Sequence, residues 1–290
     1  LDPETSDAIS YGAVFEQPWF DQFDLTLGVT YFDISVEDSI AIPGTAFSLT
    51  ECYNSSDFPN NVFCSRRERD PNTGLLTFVD NTPFNVATQE TSGVDFNARF
   101  NYDIPETFFG GFNLDINTVW TWSDEILSQT TADSEVNNFV GDWGNPEWRG
   151  TLNTRISRGD WSALWRMRYV GEQASIYNDT TPGSDTPYGQ RIYAACELTG
   201  CVETDDPSTP WLDFSSVVTE ADAQYYHDLS VSYSQDTWVI RAGVNNLFNE
   251  DPVTIDQNAS GSTQASSNAQ LGSGYDLLGR RFFLNVTKQF

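Results

Sequence analysis

The stretch from Tyr275 to Phe290, YDLLGRRFFLNVTKQF, decides the fold. Phe282, Leu284, Val286 and Phe290 fall on one face of an extended chain, with Lys288 interrupting the row. Arg281, Asn285, Thr287 and Gln289 fall on the other, where Phe283 is the single apolar exception. Side chains alternate across a strand, so a period of two this sustained marks one apolar face and one mostly polar face. An amphipathic strand that ends on Phe is expected where a transmembrane β-barrel closes, because an unpaired edge in lipid would leave backbone groups without partners.

Composition is compatible with that expectation. The 290 residues carry 14 Lys and Arg against 42 Asp and Glu, a formal charge of −28. Such a balance repels phosphate and argues against a nucleic-acid partner. With 39% hydrophobic and 14% aromatic residues, the chain is too apolar for a solvated, disordered polyanion. No run approaches the roughly 18 apolar residues of a membrane helix. A mean hydropathy of −0.42 still suits a barrel, whose strands alternate and whose loops are polar. The start at Leu1-Asp2-Pro3, without Met or a signal peptide, reads as a processed or truncated end.

Working outward from the last strand, alternation and turn signals give nine strands. They are expected near 6–16, 24–38, 88–103, 112–126, 147–157, 161–175, 225–234, 238–248 and 277–290. The connections alternate strictly: short at 17–23, 104–111, 158–160 and 235–237, long at 39–87, 127–146, 176–224 and 249–276. Short periplasmic turns and long outer loops produce this pattern in a transmembrane barrel. Trp19, Trp161 and Trp238 sit towards the short turns, and Trp120, Trp122, Trp148 and Tyr169 towards the long loops, as two interfacial girdles would. Cross-strand packing of ordinary sheet aromatics is the alternative. Bacterial single-chain barrels have even strand numbers, so nine strands imply part of a larger barrel.

Four segments carry a family resemblance. They are Leu1-Asp2-Pro3-Glu4-Thr5-Ser6 with Tyr31-Phe32-Asp33-Ile34; Arg69-Asp70-Pro71-Asn72-Thr73-Gly74 with Thr91-Ser92-Gly93-Val94-Asp95; Gly243-Val244-Asn245-Asn246-Leu247-Phe248-Asn249; and Gly279-Arg280-Arg281-Phe282-Phe283. Together they resemble the carboxy-terminal part of a TonB-dependent outer-membrane receptor barrel. The resemblance implies an all-β, antiparallel transmembrane barrel of about 22 strands, of which these are the last nine or so. It implies a plug domain outside residues 1–290, a small-molecule or metal-chelate ligand, and a ferric siderophore as the leading cargo. The implied partners are the TonB complex reached through the plug, the lipid bilayer and the barrel-assembly machinery. A passive porin, a TonB-dependent importer of carbohydrate or another nutrient, and a soluble all-β binding module are the competing readings.

Candidate site residues lie in the long loops. Cys52 and Cys64, and Cys196 and Cys201, form two pairs in exported loops and read as two disulfides. Each would contribute on the order of 2–3 kcal/mol. Arg66, Arg67 and Arg69 stand beside the first pair, either as a clamp for an anionic chelate or as a solvated cluster offset by Glu68 and Asp70. Trp143 and Trp211 are candidate stacking platforms for a ligand ring, with loop packing as the alternative. Arg149, Arg155, Arg166, Arg168 and Arg241 alternate with apolar neighbours and are expected on the lumen side. There they either pair with lumen and plug acids or line a path for an anionic substrate. The acids of the loop 176–224 match no calcium-binding spacing. A single His, His227, offers little for His-based catalysis or zinc chemistry. No nucleophile–base set, phosphate loop or glycosidase-like carboxylate pair is visible, so neither catalysis nor a resident cofactor or metal is expected.

Overall fold

A computed structural model describes residues 1–42, 44–129, 136–174, 220–253, 265–266, 269–270 and 274–288. The strands are β1 (Thr5–Glu16), β2 (Phe23–Ala41), β3 (Arg67–Arg69), β4 (Leu76–Val79), β5 (Phe84–Ile104), β6 (Phe112–Gln129), β7 (Asn137–Asn138) and β8 (Trp148–Arg158). They continue with β9 (Trp161–Val170), β10 (Gln173–Ala174), β11 (Glu220–Ala221), β12 (Gln224–Gln235), β13 (Trp238–Asn245), β14 (Ala265–Ser266), β15 (Ala269–Gln270) and β16 (Arg281–Lys288). One α-helix, α1 (Thr45–Asn54), and a short 3-10 turn, Cys64–Arg66, lie between β2 and β3. The long strands form one sheet in the order β1-β2-β5-β6-β8-β9-β12-β13-β16, with β7 added to the end of β6. Every neighbour in that order is the next long strand of the chain, so the sheet is a meander built from hairpins.

The short connections close tightly because their backbone is chosen for it. Gly159 and Asp236 open two-residue turns with φ of 52° and 43°. Positive φ there matches the twist of the flanking strands, which ordinary turns would splay.

The chain divides into two compact units. One comprises Leu1–Ser10, Phe32–Ser92 and Glu125–Phe139, the other Tyr11–Tyr31, Gly93–Asp124 and Val140–Phe290. In the second unit the register keeps one mainly apolar face continuous across six strands. Leu152 of β8 stands opposite Thr118 of β6 and Met167 of β9, and Trp165 of β9 stands opposite Leu229 of β12. Leu229 is opposite Val244 of β13, and Val244 opposite Phe282 of β16. The other face is polar, with Asn117, Asn153, Arg166 and Asp228 in one such row. The apolar face is left open: Phe282 is 80% exposed and Leu284 70%. A water-soluble sheet covers such a face, whereas a sheet facing lipid does not.

Aromatic rings band both ends of this face. Trp161 lies 4.8 Å from Tyr233 at the short-turn end; Trp120 lies 5.5 Å from Tyr169, itself 4.9 Å from Tyr225, at the long-loop end. Eight residues of strand separate Trp161 from Tyr169, about 27 Å along the chain. That length suits an apolar band about 25 Å tall crossed by tilted strands. Gly150 makes the upper band possible, since a Cβ there would sit 2.3 Å from the Trp120 ring.

Lys288 and Phe283, the two departures from alternation in β16, each have a structural cause. Lys288 ends the apolar row opposite Trp238 and holds its ammonium 4.7 Å from that ring, at the short-turn band where a long cationic stem reaches water. Phe283 faces the polar side because it lies over Gly243, where a Cβ would come within 2.6 Å of the ring.

Several expected boundaries need correction. The last strand begins at Arg281, not Leu277, and Phe290 is outside the described residues. The strand expected over 161–175 ends at Val170: the Gly171 amide still bonds the Trp148 carbonyl at 2.9 Å, and Gln173–Ala174 then pairs with Glu220–Ala221. The strand expected to Phe248 stops at Asn245, because Asn246 turns the chain at φ 52°. Its side chain then binds the amide and carbonyl of Glu250, both at 2.8 Å.

Candidate functional site

The first long loop, between β2 and β5, folds as a small lobe. Cys52 at the end of α1 is bonded to Cys64, and Phe47 and Phe63 pack edge to face at 5.7 Å beside the bridge. This is the core of the lobe, and the three arginines grow from it. Arg66 is nearly buried; it pairs with Asp80 at 3.4 Å and donates to the Thr82 carbonyl at 2.6 Å, tying the start of β3 to the end of β4. Arg67 donates through Nε to Cys52 Sγ at 3.2 Å and lies 4.7 Å over the Tyr53 ring. Arg69 donates to the Tyr53 hydroxyl through Nε at 3.1 Å and through Nη2, and to the Gly74 carbonyl at 2.6 Å.

Tyr53 is therefore held by two guanidinium groups, with the tilted ring of Phe58 beside it at 5.7 Å. Tyr53 and Phe58 both remain about half exposed. An exposed pair of rings flanked by Arg67 and Arg69 suits a planar or anionic ligand group. Of the acids expected to offset the arginines, Asp70 does other work. Asp70 accepts from the amides of Asn72 and Thr73 at 2.7 and 2.9 Å, and those backbone bonds, Thr73 first, hold its carboxyl below the usual range. Asp80 is lowered first by the Thr82 amide, then by the Thr82 hydroxyl, with Arg66 adding to it.

Trp143 is placed elsewhere. It is 5% exposed and packs with Val170, Ala221, Tyr226 and Tyr275, so it takes the packing alternative and offers no face to a ligand. Around it the second unit builds a buried polar knot. Gln173 donates to the Tyr275 hydroxyl at 2.7 Å and accepts from the Gly144 amide at 2.6 Å. Asp276, with its side chain 2% exposed, meets Arg281 in a two-point contact at 3.2 Å and Arg168 at 3.8 Å. Burial raises the Tyr275 hydroxyl well above its ordinary pKa, so it stays protonated and can hold the knot. Trp211, Cys196 and Cys201 lie outside the described residues.

Register places Arg149, Arg155, Arg166, Arg168 and Arg241 all on the polar face, as expected. Arg166 donates to Asn153 at 3.0 Å and Arg241 to Ser230 at 3.0 Å. His227 is on the apolar face, stacked on Trp165 at 5.6 Å and edge-on to Phe248 at 5.0 Å. Among the described residues, no group of three or more His, Cys, Asp or Glu side chains is arranged to hold a metal ion.

A sheet with one open apolar face, two aromatic bands and alternating short and long connections suits a transmembrane β-barrel. Residues 1–247 match the family model for the TonB dependent receptor-like β-barrel. The chain belongs to this family. Its fold is shared by the ferric enterobactin receptor of Pseudomonas aeruginosa, at 13% identity and a TM-score of 0.51 over 98% of this chain and 31% of that one. The siderophore receptor PirA of Acinetobacter baumannii aligns at 16% identity and a TM-score of 0.51 over 100% of this chain and 32% of that one. The chain thus spans about a third of these structures, and at such identities they show the fold alone. No curated protein sequence matches it. The family consists of outer-membrane receptors and transporters rather than enzymes.

Sequence reasoning reached Cys52, Cys64 and the three arginines but missed Tyr53 and Phe58, which complete the arrangement. Tyr53 directly follows Cys52, and that adjacency was the available signal. It also missed Asp276, although it lies within the Tyr275–Phe290 stretch.

Proposed function

We propose that this chain is the carboxy-terminal barrel section of an outer-membrane receptor that imports a scarce small ligand, a ferric siderophore in the leading reading. The energy for import reaches the receptor through TonB by way of a plug domain that residues 1–290 do not include. The observation that carries the reading is the open apolar face with its two aromatic bands, in a chain of the TonB-dependent receptor family. The names of two fold neighbours, a ferric enterobactin receptor and a siderophore receptor, are the reason that ligand class leads. In this reading Arg67, Arg69, Tyr53 and Phe58 form the ligand-facing surface of the first long loop, and Arg66 and the Cys52–Cys64 bridge hold it in shape. A metal-chelate anion with aromatic arms meets both features, charge through the guanidinium groups and stacking through the rings.

The test is a deletion strain grown under iron starvation and supplied with single ferric siderophores, with and without the full-length gene. Restored uptake of at least one chelate, lost again when TonB is removed, is the expected result. Uptake that is indifferent to iron, or that persists without TonB, sinks the siderophore reading in favour of another nutrient or a passive channel. Within a positive strain, the double change Arg67→Gln and Arg69→Gln is expected to weaken binding by about tenfold or more.

A further inference from the structure

The polar face of β8, β9, β12 and β13 carries five arginines (Arg149, Arg155, Arg166, Arg168 and Arg241) against one carboxylate, Asp228. In a chain with 14 basic and 42 acidic residues this is a local reversal of sign. Arg149 is one of its lightly satisfied members. It donates to the Gly144 carbonyl at 3.1 Å and makes no ion pair among the described residues. Arg149 stands directly opposite Val170 on β9, two residues from Arg168. Diagonal neighbours of this kind root their side chains about 7–8 Å apart. Arg168 shares Asp276 with Arg281, so two guanidinium groups meet one carboxylate and Arg149 has none among the described residues.

Between Arg149 and Arg168 the wall opens into a cleft of about 340 Å³. Val119, Pro146 and Val170 give it apolar walls, and Thr151 adds a hydroxyl. Thr121 also lines it, with its hydroxyl committed to Asp95 at 2.6 Å. Uncompensated positive charge beside apolar wall suits an acid group carried on an apolar body. We propose that this cleft binds the carboxylate or phosphate of a small organic anion, with Arg149 as the principal contact and Arg168 as the second. It uses none of the residues of the first long loop, and so adds a station on the barrel wall to whatever that loop captures. A lone inorganic anion would leave Val119, Pro146 and Val170 uncovered; an aryl carboxylate or aryl phosphate covers them.

The test uses the full-length receptor in detergent with 4-fluorobenzoate and 4-fluorophenyl phosphate as fluorine-NMR probes. Both anions are expected to broaden on adding protein and to sharpen on adding excess benzoate, whereas 4-fluorobenzyl alcohol should not broaden. Arg149→Gln should weaken binding about tenfold. Arg155→Gln, on the same strand and face but about 20 Å further along, should stay within twofold of the parent. Val119→Phe, which fills the cleft while keeping both charges, should abolish binding. Should Arg149→Gln fail to assemble, Arg149→Lys is expected to retain binding that Val119→Phe loses. Absent broadening by the anions, equal broadening by the alcohol, or binding indifferent to Val119→Phe overturns the proposal. The probes contain no iron, so this outcome is independent of the uptake assay.

Discussion

The first long loop and the knot around Asp276 solve the same problem by different means. Each must hold loop backbone in place beyond the end of the strands. The first does it covalently, with Cys52–Cys64, and stacks its arginines on rings that remain half exposed. The second has no covalent bond among the described residues and relies on a carboxylate with a side chain 2% exposed, shared by two arginines. A bridge needs little burial to act, so its surroundings are free to carry an open aromatic surface. A buried charge acts only while every partner stays in place, so its surroundings must close around it. The open lobe can therefore change its surface residues without losing its shape, whereas the knot cannot.

Removing Asp276 should break that contrast most visibly. Asp276→Ala leaves Arg168 and Arg281 facing each other without a counter-charge. Because both arginine side chains are about a third exposed, the loss should sit near the low end for a buried pair, about 3 kcal/mol. Denaturant titration of the full-length receptor in detergent should show a loss of that order, and Asp276→Asn a smaller one. An unchanged midpoint would mean that the arginines repair to other acids and that the knot is not the closed device described.

Next in size is the bridge. Replacing Cys52 and Cys64 together by Ser should cost about 3 kcal/mol in the chain-entropy model for a separation of 12 residues. The cost should be local. Amide exchange in α1 and β3 should quicken, while exchange in β8, β9 and β12 stays as in the parent. Equal loss in both places would show that the lobe is not an independent clamp.

Most of the sheet was legible in the sequence. Eight of the nine strands lie within a few residues of where alternation puts them, because a strand between water and lipid must alternate along nearly its whole length. The boundaries that moved are those where tertiary partners override pattern. Leu277 and Leu278 continue the apolar texture, but Asp276, held by Arg168 and Arg281, fixes the chain outside the strand. Phe248 looks like one more apolar strand position; Asn246, fully buried and bonded to Glu250, turns the chain before it. The candidate site was less legible. Three arginines near two cysteines were visible as a cluster, but composition cannot say which ring each guanidinium lies on. For the same reason Trp143, visible only as an aromatic in a long loop, turned out to be core.

A smaller effect separates hydrogen bonding from stacking within the lobe. Tyr53→Phe keeps the ring over which Arg67 lies and removes the hydroxyl that takes two donors from Arg69. A charged hydrogen bond is worth about 1.5–3 kcal/mol when desolvated. At a half-exposed residue the loss should fall towards ~1 kcal/mol. Hydrogen exchange or limited proteolysis of the lobe should register it, and Arg69 should become the more mobile of the two arginines. If Arg67 loosens instead, the stack depends on the hydroxyl and the two contacts are not separable.

The smallest effect is a response to acid, and it too should be confined to the lobe. Asp70 and Asp80 both have carboxyl groups held below their ordinary value of 3.8 by backbone amides. A group with a depressed folded pKa contributes stability above its unfolded pKa and loses it as pH falls through the folded one. The ribbon β3–β4 should therefore be fully ordered at neutral pH and begin to loosen only below about pH 4. Both carboxylates are exposed to solvent, so the loosening should be gentle, a rise in exchange of the Asn72, Thr73 and Thr82 amides rather than loss of the lobe. Asp70→Asn keeps an acceptor for those amides but no titration, so its Asn72 and Thr73 amides should exchange at a rate that no longer steepens below pH 4. Should the acid response survive in both Asp70→Asn and Asp80→Asn, it originates outside the ribbon, and the amide contacts of these two residues do not govern the acid sensitivity of the lobe.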